Sequence, residues 1–320
     1  MPSTIVILGT GGTIAGTAAT PLDNVGYSAA QRSAADLLAD LLASLPALSA
    51  IHPGQLIECE QVAQLDSKDM DHATWQRLAQ RASHHLHRPE VAGVVITHGT
   101  DTLEETAWFL HRVLAPRKPL VLTAAMRPAT SIQADGPQNL LDAVTVARAA
   151  DVQGVLAVLA GTVHGAADLR KLHTYRLDAF GSGDAGPLAH VEEGRVRQHR
   201  PWPSGQPLGL DCIAADAASW PRVDMLTSHA GVRGDLIDAL LERGVLGLVV
   251  AGTGNGSLHH SLEAAVQRAR AAGVPMWLCT RCATGVVLGS AGAQSPAAAL
   301  SPWQARVELM LHLMSAPTRA

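Results

Sequence analysis

The sequence predicts an α/β fold: a larger N-terminal domain with a mostly parallel sheet flanked by helices, followed by a smaller C-terminal α/β domain. Three observations predict it: six apolar runs without alternation, helix-like segments between them, and a stretch rich in proline and glycine near residue 200. Apolar runs without period-two alternation are typical of strands covered on both faces of a parallel sheet. Strands that alternate with amphipathic helices indicate an α/β protein.

The composition supports this fold and narrows the classes of partner. The 320 residues are 47% hydrophobic and 16% charged, which is enough apolar material for a large core. The net charge is -4 and no long basic run occurs, so we expect a small-molecule partner and no nucleic acid. No stretch approaches the length of a membrane span, and the chain begins directly with an apolar run. We therefore expect a cytoplasmic protein without a membrane partner.

Six strands are expected, each bounded by glycine or proline. They cover residues 4–8, 91–96, 120–124, 155–159, 245–251 and 274–279. Ligands of open α/β sheets bind at the carboxyl ends of the strands. The polar residues that follow the first two strands are therefore expected to lie together.

Seven helices are expected between and after these strands from their 3.6-residue periodicity and their end residues. Five of them cover residues 33–45, 72–86, 137–150, 235–243 and 257–272. Of these, 137–150 follows a cap at Asp135-Gly136, and the last two end at Gly244 and Gly273. The other two helices begin with the capping box Thr102-Leu-Glu-Glu105 and after the cap Ser301-Pro302.

The stretch 192–211 contains three prolines and three glycines and has neither helical nor strand periodicity, so we expect it to link the domains. The expected organisation is a catalytic domain over 1–191, a linker over 192–211 and a smaller domain over 212–320.

The first strand leads into Gly9-Thr-Gly-Gly-Thr13. The segment lacks the spacing and the lysine of a phosphate-binding loop. It offers instead the hydroxyl of Thr13 among glycines whose N–H groups could hold an oxyanion, which suits acyl transfer. Equally, Thr10 and Thr13 could simply cap a turn.

The second strand leads into His98-Gly-Thr-Asp-Thr102. Asp101 with a nearby base could activate Thr100 or a water molecule, because threonine is a poor nucleophile until its proton is removed. Alternatively, Asp101 and Thr102 are helix caps. We expect His98 to be a structural histidine rather than a base.

Five ordered blocks resemble one known family. Thr10-Gly-Gly-Thr-Ile-Ala-Gly16 and Ile96-Thr-His-Gly-Thr-Asp-Thr-Leu-Glu-Glu-Thr106 are similar to the two defining motifs of the bacterial-type L-asparaginases, which use a threonine nucleophile. The likeness continues through Ala124-Ala-Met-Arg-Pro-Ala-Thr-Ser-Ile-Gln-Ala-Asp-Gly-Pro-Gln-Asn-Leu140, Ala251-Gly-Thr-Gly-Asn-Gly256 and Thr280-Arg-Cys-Ala-Thr-Gly285.

The resemblance implies hydrolysis of L-asparagine to L-aspartate and ammonia through a threonine acyl-enzyme, without metal or organic cofactor. It implies a set of catalytic residues and a set of substrate-binding residues. The catalytic set is Thr13 as nucleophile, Tyr27 on a mobile lid, and Thr100, Asp101 and Lys171 as a second triad. The substrate-binding set is Gly12, Asp66, Ser67, Gly99, Ala125 and Asn255, with Ser67 on the substrate α-carboxylate and Asp101 on its α-ammonium.

The resemblance also implies a homotetramer, a dimer of intimate dimers in which Asn255 reaches the neighbouring subunit's site. Two departures bear on substrate choice. Lys68 stands where many periplasmic members have glutamine, and we expect it to point outward. The segment 286–292 lacks the carboxylate that members often send across the dimer.

Other functions were weighed against this hypothesis. A glutaminase-asparaginase of broad specificity and a non-catalytic amino-acid-binding protein on the same scaffold stay open. A nucleotide-binding protein would need a fingerprint that the chain lacks. We expect no metal site, because the histidines at 84, 85, 87, 259 and 260 are interpreted as solvated helix faces and Cys279 and Cys282 lack a second pair.

Overall fold

The structure is a computed structural model that describes residues 4–44, 56–289 and 295–315. The chain divides into two compact units, Met1–Leu210 and Asp211–Ala320. Each unit has its own sheet and its own core. The predicted α/β fold with a larger and a smaller part is confirmed.

An eight-stranded sheet forms the centre of the first unit. Its spatial order is β12-β11-β8-β7-β6-β5-β1-β4. The strands are β1 (Thr4–Gly11), β4 (Leu56–Leu65), β5 (Val91–Thr97), β6 (Pro119–Thr123), β7 (Gly154–Leu159), β8 (Thr162–Gly165), β11 (Ala189–Glu192) and β12 (Arg195–Gln198). Two small antiparallel ladders lie beside it: β2 (Thr17–Ala18) with β3 (Tyr27–Ser28), and β9 (Arg170–Lys171) with β10 (Phe180–Gly181).

The sheet is doubly wound. The strands β4, β1, β5, β6 and β7 are parallel neighbours, and β8, β11 and β12 extend the sheet by antiparallel pairing. The chain moves from β1 outward to β4, returns across β1 to β5, and then continues in the opposite direction. The order therefore reverses between β1 and β5, which is the switch point where such sheets bind ligands.

Within the described ranges, four helices connect the parallel strands. They are α1 (Ala34–Ser44), α2 (His72–Leu86), α3 (Leu103–Leu114) and α4 (Gly136–Arg148). Leucine, valine and alanine side chains of α1 and α4 pack on one face of the sheet against Ile5, Ile7 and Val95. On the other face lie α2 and α3, where Trp75 stacks on Phe109 with ring centroids 5.0 Å apart. The two-sided covering explains why the central strands have no alternation.

Two predicted helix caps are wrong. Thr102 precedes α3 but makes no capping bond, because its hydroxyl donates to the carbonyl oxygen of Ser67 at 2.8 Å. Asp135 precedes α4 without capping it, since its carboxylate accepts the N–H groups of Met126 and Arg127 at 3.0 and 2.9 Å. Both side chains therefore tie loops together at the ends of strands. Residue 45, the predicted end of the first helix, lies outside the described residues.

Several strands were not expected from the sequence. At the edge of the sheet, β4 consists of exposed and half-buried residues without a fully buried one, and it carries Glu58 and Glu60. The Arg81 guanidinium on α2 lowers the pKa of Glu60 to about 2. His85 also bonds Glu60, at 2.7 Å, and is buried, so the expectation that it lies on a solvated helix face is wrong. Because β4 carries charged residues that pair with a helix, its sequence lacks the apolar run by which the central strands were predicted.

The expected linker, 192–211, includes β12, which forms a hairpin with β11 through Glu193 and Gly194. Both turn residues have positive φ, of 48° and 71°. The boundary between the two units falls after Leu210.

The second unit contains a three-stranded parallel sheet in the order β13-β14-β15. Its elements are β13 (Val223–Thr227), α5 (Asp235–Glu242), β14 (Gly247–Gly252), α6 (His260–Ala271), β15 (Met276–Thr280) and α7 (Pro302–Ser315). Ser301 caps α7 as predicted, since its hydroxyl oxygen accepts the N–H of Gln304 at 3.2 Å. The predicted start of α6 at 257 is wrong: Ser257 pairs with Thr253, and His259 is the cap.

One buried carboxylate makes the stability of the first unit depend on pH. Asp142 on α4 is 4% exposed and accepts a bond from Gln138 at 2.8 Å. Burial raises the pKa of Asp142 to about 6, from an ordinary value of 3.8. The folded protein therefore binds this proton more tightly than the unfolded chain does, and the resulting stability is lost as the pH rises through 6.

We predict that Asp142→Asn exceeds the wild type in free energy of unfolding by about 1–3 kcal/mol at pH 7.5, with a smaller difference at pH 4. Urea titrations at the two pH values measure it. The exposed Asp184→Asn is the matched control and should change neither value. A difference that is the same at both pH values would contradict the prediction.

Candidate active site

The end of β1 holds Thr13 in a tight turn. Gly11 and Gly12 have positive φ values of 101° and 79°, which glycine adopts without strain. Thr13 then begins the 3-10 turn Thr13–Ala15 and is buried. Its hydroxyl lies 2.7 Å from the phenol of Tyr27, which the short β2–β3 ladder carries back over this turn. The predicted pair of Thr13 and Tyr27 is thus in hydrogen-bond contact.

The loops after β1 and β5 touch through two glycines. A Cβ on Gly12 would lie 2.4 Å from both the Cα and the nitrogen of Gly99. Likewise, a Cβ on Gly99 would lie 2.3 Å from Oγ of Ser67. No larger residue fits at either position, so the segments that carry Thr13, Thr100 and Ser67 share one contact point.

Lys171 joins this cluster from the β9–β10 ladder. Its Nζ donates to Oγ1 of Thr100 at 2.9 Å and to Oδ1 of Asp101 at 2.6 Å. Thr100 is buried, whereas the side chain of Asp101 is half exposed. The predicted triad of Thr100, Asp101 and Lys171 is therefore one hydrogen-bonded unit in the structure.

Ser67 lies in the 3-10 turn Ser67–Asp69 and is buried. Its Oγ accepts the N–H of Asp101 at 3.1 Å. A serine hydroxyl that accepts a bond still has its own proton to donate. The turn thus presents the Ser67 hydroxyl as a donor next to Asp101.

Asp66 and Lys68 lie on either side of Ser67 and pair with each other. The carboxylate of Asp66 caps the turn, and Lys68 Nζ lies 2.6 Å from Asp66 Oδ2 with its side chain 64% exposed. The Asp66 carboxylate raises the pKa of Lys68. Lys68 points outward, as expected from the sequence.

One expectation for the first loop fails. The N–H of Gly12 donates to the carbonyl oxygen of Leu65 at 2.9 Å, so it is not available to an oxyanion. This bond also anchors the β1 loop to the end of β4. Gly12 therefore serves close packing rather than anion binding.

Ala125 and Asn255 lie in separate units. Ala125 follows β6, the next strand after β5 in the sheet, and is fully buried. Asn255 follows β14 in the second unit, where its side-chain amide exchanges bonds with the backbone of Leu288 at 3.2 and 2.7 Å. Of the segment 286–292, residues 290–292 lie outside the described residues.

A buried hydrogen-bond chain supports the second loop from behind. Trp75 Nε1 donates to Oγ1 of Thr106 at 2.9 Å, and that oxygen lies 3.0 Å from Nε2 of His98. The ring's Nδ1 donates to the carbonyl oxygen of Gly99 at 2.7 Å. Burial lowers the pKa of His98 to about 4, so the ring is neutral and Nε2 accepts from Thr106. Sequence reasoning treated His98 as structural but missed Trp75 and Thr106.

No metal centre or membrane helix is found in the described part of the chain. Residues 4–44, 56–289 and 295–315 contain no group of three or more His, Cys, Asp or Glu side chains that could hold a metal ion. None of the helices in these ranges has the length and apolar character needed to cross a membrane. Cys279 is buried in β15, which raises the pKa of its thiol to about 12, while Cys282 is exposed.

A doubly wound sheet with hydroxyl-bearing loops at its switch point defines an α/β enzyme that binds a small ligand at the strand ends. Family models identify the family. The model described as asparaginase, N-terminal, matches residues 4–204, and that of the glutaminase/asparaginase C-terminal domain matches residues 222–319. The chain belongs to the asparaginase family and is an amidohydrolase of that type.

Relatives of known sequence agree over most of the chain. A glutaminase-asparaginase of Pseudomonas fluorescens is 35% identical over 84% of this chain and 73% of its own length. L-asparaginase 2 of Escherichia coli and a probable periplasmic L-asparaginase of Haemophilus influenzae are each 33% identical over 97% of this chain and 88% of their own.

A solved structure has the same fold. The crystal structure of a probable cytoplasmic L-asparaginase from Campylobacter jejuni matches with a TM-score of 0.88 at 35% identity, covering 99% of this chain and 97% of that one.

We predict that Thr106→Val lowers the free energy of unfolding by about 2–4 kcal/mol, because it leaves Trp75 Nε1 and His98 Nε2 buried without a partner. Thr145→Val is the matched control: Thr145 is also buried, but its hydroxyl bonds only the carbonyl of Leu141 in its own helix. The control should lose less than about 1.5 kcal/mol. Equal losses in urea titrations of the two variants would contradict a special role for the chain of bonds.

Proposed function

We propose that the protein hydrolyses the side-chain amide of L-asparagine to L-aspartate and ammonia through a threonine acyl-enzyme. One observation carries the proposal: two hydroxyl clusters, Thr13 with Tyr27 and Thr100 with Lys171 and Asp101, follow neighbouring parallel strands whose loops touch at Gly12 and Gly99. The named activities of the relatives support the substrate.

Thr13 is the proposed nucleophile. Its Oγ1 attacks the carboxamide carbon while its proton passes to the Tyr27 oxygen, 2.7 Å away, and the Tyr27 hydroxyl releases its own proton toward the leaving nitrogen, so the phenol is unchanged overall. The C–N bond of the resulting tetrahedral intermediate breaks, the nitrogen takes a proton and leaves as ammonia, and an ester joins Thr13 to the aspartyl group. Water then attacks the ester carbon, aspartate leaves, and the Thr13 hydroxyl is restored.

Thr100 is proposed to form hydrogen bonds with the leaving nitrogen and then with the attacking water. Its oxygen accepts a bond from Lys171 Nζ, so its own proton is free to be donated into the crevice. Lys171 acts as the donor that fixes this orientation. A role of Lys171 as a base would require the neutral amine, because an ammonium group has no acceptor.

The substrate's α-amino acid group is proposed to bind between Ser67 and Asp101. Ser67 has a free hydroxyl proton for the α-carboxylate, and the half-exposed carboxylate of Asp101 can pair with the α-ammonium. Asp66, Gly12, Gly99 and Ala125 shape the surrounding walls. The proposed reaction needs neither a metal ion nor an organic cofactor.

A broad glutaminase-asparaginase is the second candidate. It is favoured by the relative of that name in Pseudomonas fluorescens at 35% identity. Glutamine is longer by one methylene group, and such a difference changes kcat/KM by about 10- to 200-fold in a fitted pocket. The ratio of kcat/KM for asparagine and glutamine in one buffer separates the two candidates.

Assembly and location are further parts of the proposal. We propose a homotetramer built from tight dimers, as the resemblance implies, in which the smaller C-terminal unit supplies Asn255 to the neighbouring subunit's site. We propose a domain division near 191 and 212, on either side of the turn-rich stretch. The similarity to a probable cytoplasmic L-asparaginase from Campylobacter jejuni supports a cytoplasmic location.

We predict that Thr13→Ala and Lys171→Met each lower kcat for L-asparagine by at least about a thousandfold, because a lost nucleophile or polarising donor stops the acyl transfer. Coupled detection of released ammonia measures it, with circular dichroism to verify folding.

Two matched controls belong to this test. Thr20→Ala changes an exposed threonine between β2 and β3, and Lys118→Met changes a lysine that bonds the carbonyl oxygen of Arg88. Both should keep kcat within about threefold of the wild type. Undiminished ammonia release by Thr13→Ala and Lys171→Met would reject the assignment.

A further inference from the structure

The main chain of Lys171 has little regular structure to hold it. It belongs to the two-residue strand β9, which pairs with β10 in only two rungs, Lys171 with Phe180 and Arg170 with Gly181. A short isolated hairpin is marginally stable in water. Lysine is also a flexible side chain with a compact charge at its end. The next residue adds one backbone bond, from the Leu172 N–H to the carbonyl oxygen of Ala179 at 2.7 Å, and contacts outside the hairpin hold the backbone of Lys171 itself.

Glu104 supplies such a contact. Its Oε2 accepts the backbone N–H of Lys171 at 2.8 Å, and the side chain is only 7% exposed. A hydrogen bond to a carboxylate is stronger than one between neutral groups. Burial lowers the pKa of the nearby Arg170 guanidinium, and the negative charge of Glu104 acts in the opposite direction, so the two side chains attract each other.

Residues at the start of α3 thus bond both the side-chain amine and the backbone N–H of Lys171. Asp101 precedes α3 and takes the Nζ group at 2.6 Å, whereas Glu104, three residues later in the first turn, takes the backbone N–H. The N-terminus of a helix favours carboxylates through its dipole. The same short segment also carries Thr100, so Lys171 and its target share one support.

The far end of the hairpin is tied to the loop after β6. Arg127 is buried, donates to the carbonyl oxygen of Tyr175 at 2.8 Å, and lies with its guanidinium carbon 4.0 Å from the centroid of the Tyr175 ring. The hairpin is therefore attached at its base through Glu104 and at its tip through Arg127. The base attachment, through Glu104, is the one that contacts Lys171 itself.

We infer that Glu104 is a positioning residue that sets the reach of Lys171 toward Thr100 by holding the Lys171 backbone N–H. The inference rests on the proposed function for its effect on turnover, but its structural part does not. Glu104 acts through Lys171, so its loss is expected to lower kcat while KM changes little. A displacement of about 1 Å at a catalytic group can lower the rate about a hundredfold.

Three substitutions separate the hydrogen bond from the charge. Glu104→Gln keeps an acceptor oxygen at the same reach without the charge. Glu104→Asp keeps the charge but withdraws it by one methylene group, and Glu104→Leu removes both. Glu105→Leu, at the next position of the same helical turn, is the matched control. All four are compared with the wild type in kcat and KM for L-asparagine, and in amide hydrogen exchange of the peptide 170–181.

The expected result is that Glu104→Gln keeps kcat within about threefold, whereas Glu104→Asp and Glu104→Leu lose about 10- to 100-fold in kcat with KM within about threefold. Exchange of the hairpin peptide should be faster in the Asp and Leu variants only, and Glu105→Leu should resemble the wild type. If Glu104→Leu does not fold, the contrast between Gln and Asp decides.

Retained kcat in Glu104→Asp together with its loss in Glu104→Gln would overturn the inference, because the charge would then matter and not the hydrogen bond. Unchanged hairpin exchange in Glu104→Asp and Glu104→Leu would overturn it as well. A wild type that does not hydrolyse L-asparagine would instead reject the proposed function, and hydrogen exchange would still test the hold on Lys171.

Discussion

The contact between Gly12 and Gly99 is the constraint on which the site depends. At 2.4 Å from a Cβ on Gly12 to the Gly99 backbone, the loops after β1 and β5 leave no room for any side chain. The parallel pairing of β1 and β5 brings their ends to one edge, and the absence of side chains lets the loops meet there. Thr13 and Thr100 follow these glycines directly, so the two hydroxyl-bearing turns begin on either side of one backbone contact at the switch point.

The hydrogen bonds that Thr100 and Ser67 accept leave their hydroxyl protons available for donation. Thr100 and Ser67 each accept one bond, from Lys171 and from the N–H of Asp101, and each therefore retains a hydroxyl proton to donate. The buried neutral ring of His98 holds the Gly99 carbonyl from behind. Such preorganised donors stabilise developing charge without rearranging during the reaction, which is how electrostatic catalysis operates.

The sequence allowed the fold and the two strand-end loops to be predicted because the central strands are apolar throughout and glycines mark their ends. The contact with Lys171 came only from resemblance, since a two-residue strand has no periodicity that could reveal it. Thr102 was misassigned as a cap because local spacing cannot show that a distant carbonyl, on Ser67, takes its hydroxyl. The expectation that His85 is solvated is wrong because its partner, Glu60, lies on the edge strand β4. This strand has no apolar run from which it could be predicted.

If Thr13 is the nucleophile, it carries the aspartyl group as an ester during turnover. Peptide mass spectrometry of the enzyme quenched in acid during turnover of saturating L-asparagine measures this most directly. We expect an added aspartyl mass on the peptide that contains Thr13, and none in Thr13→Ala. An aspartyl group on the peptide that contains Thr100, with Thr13 unmodified, would contradict it.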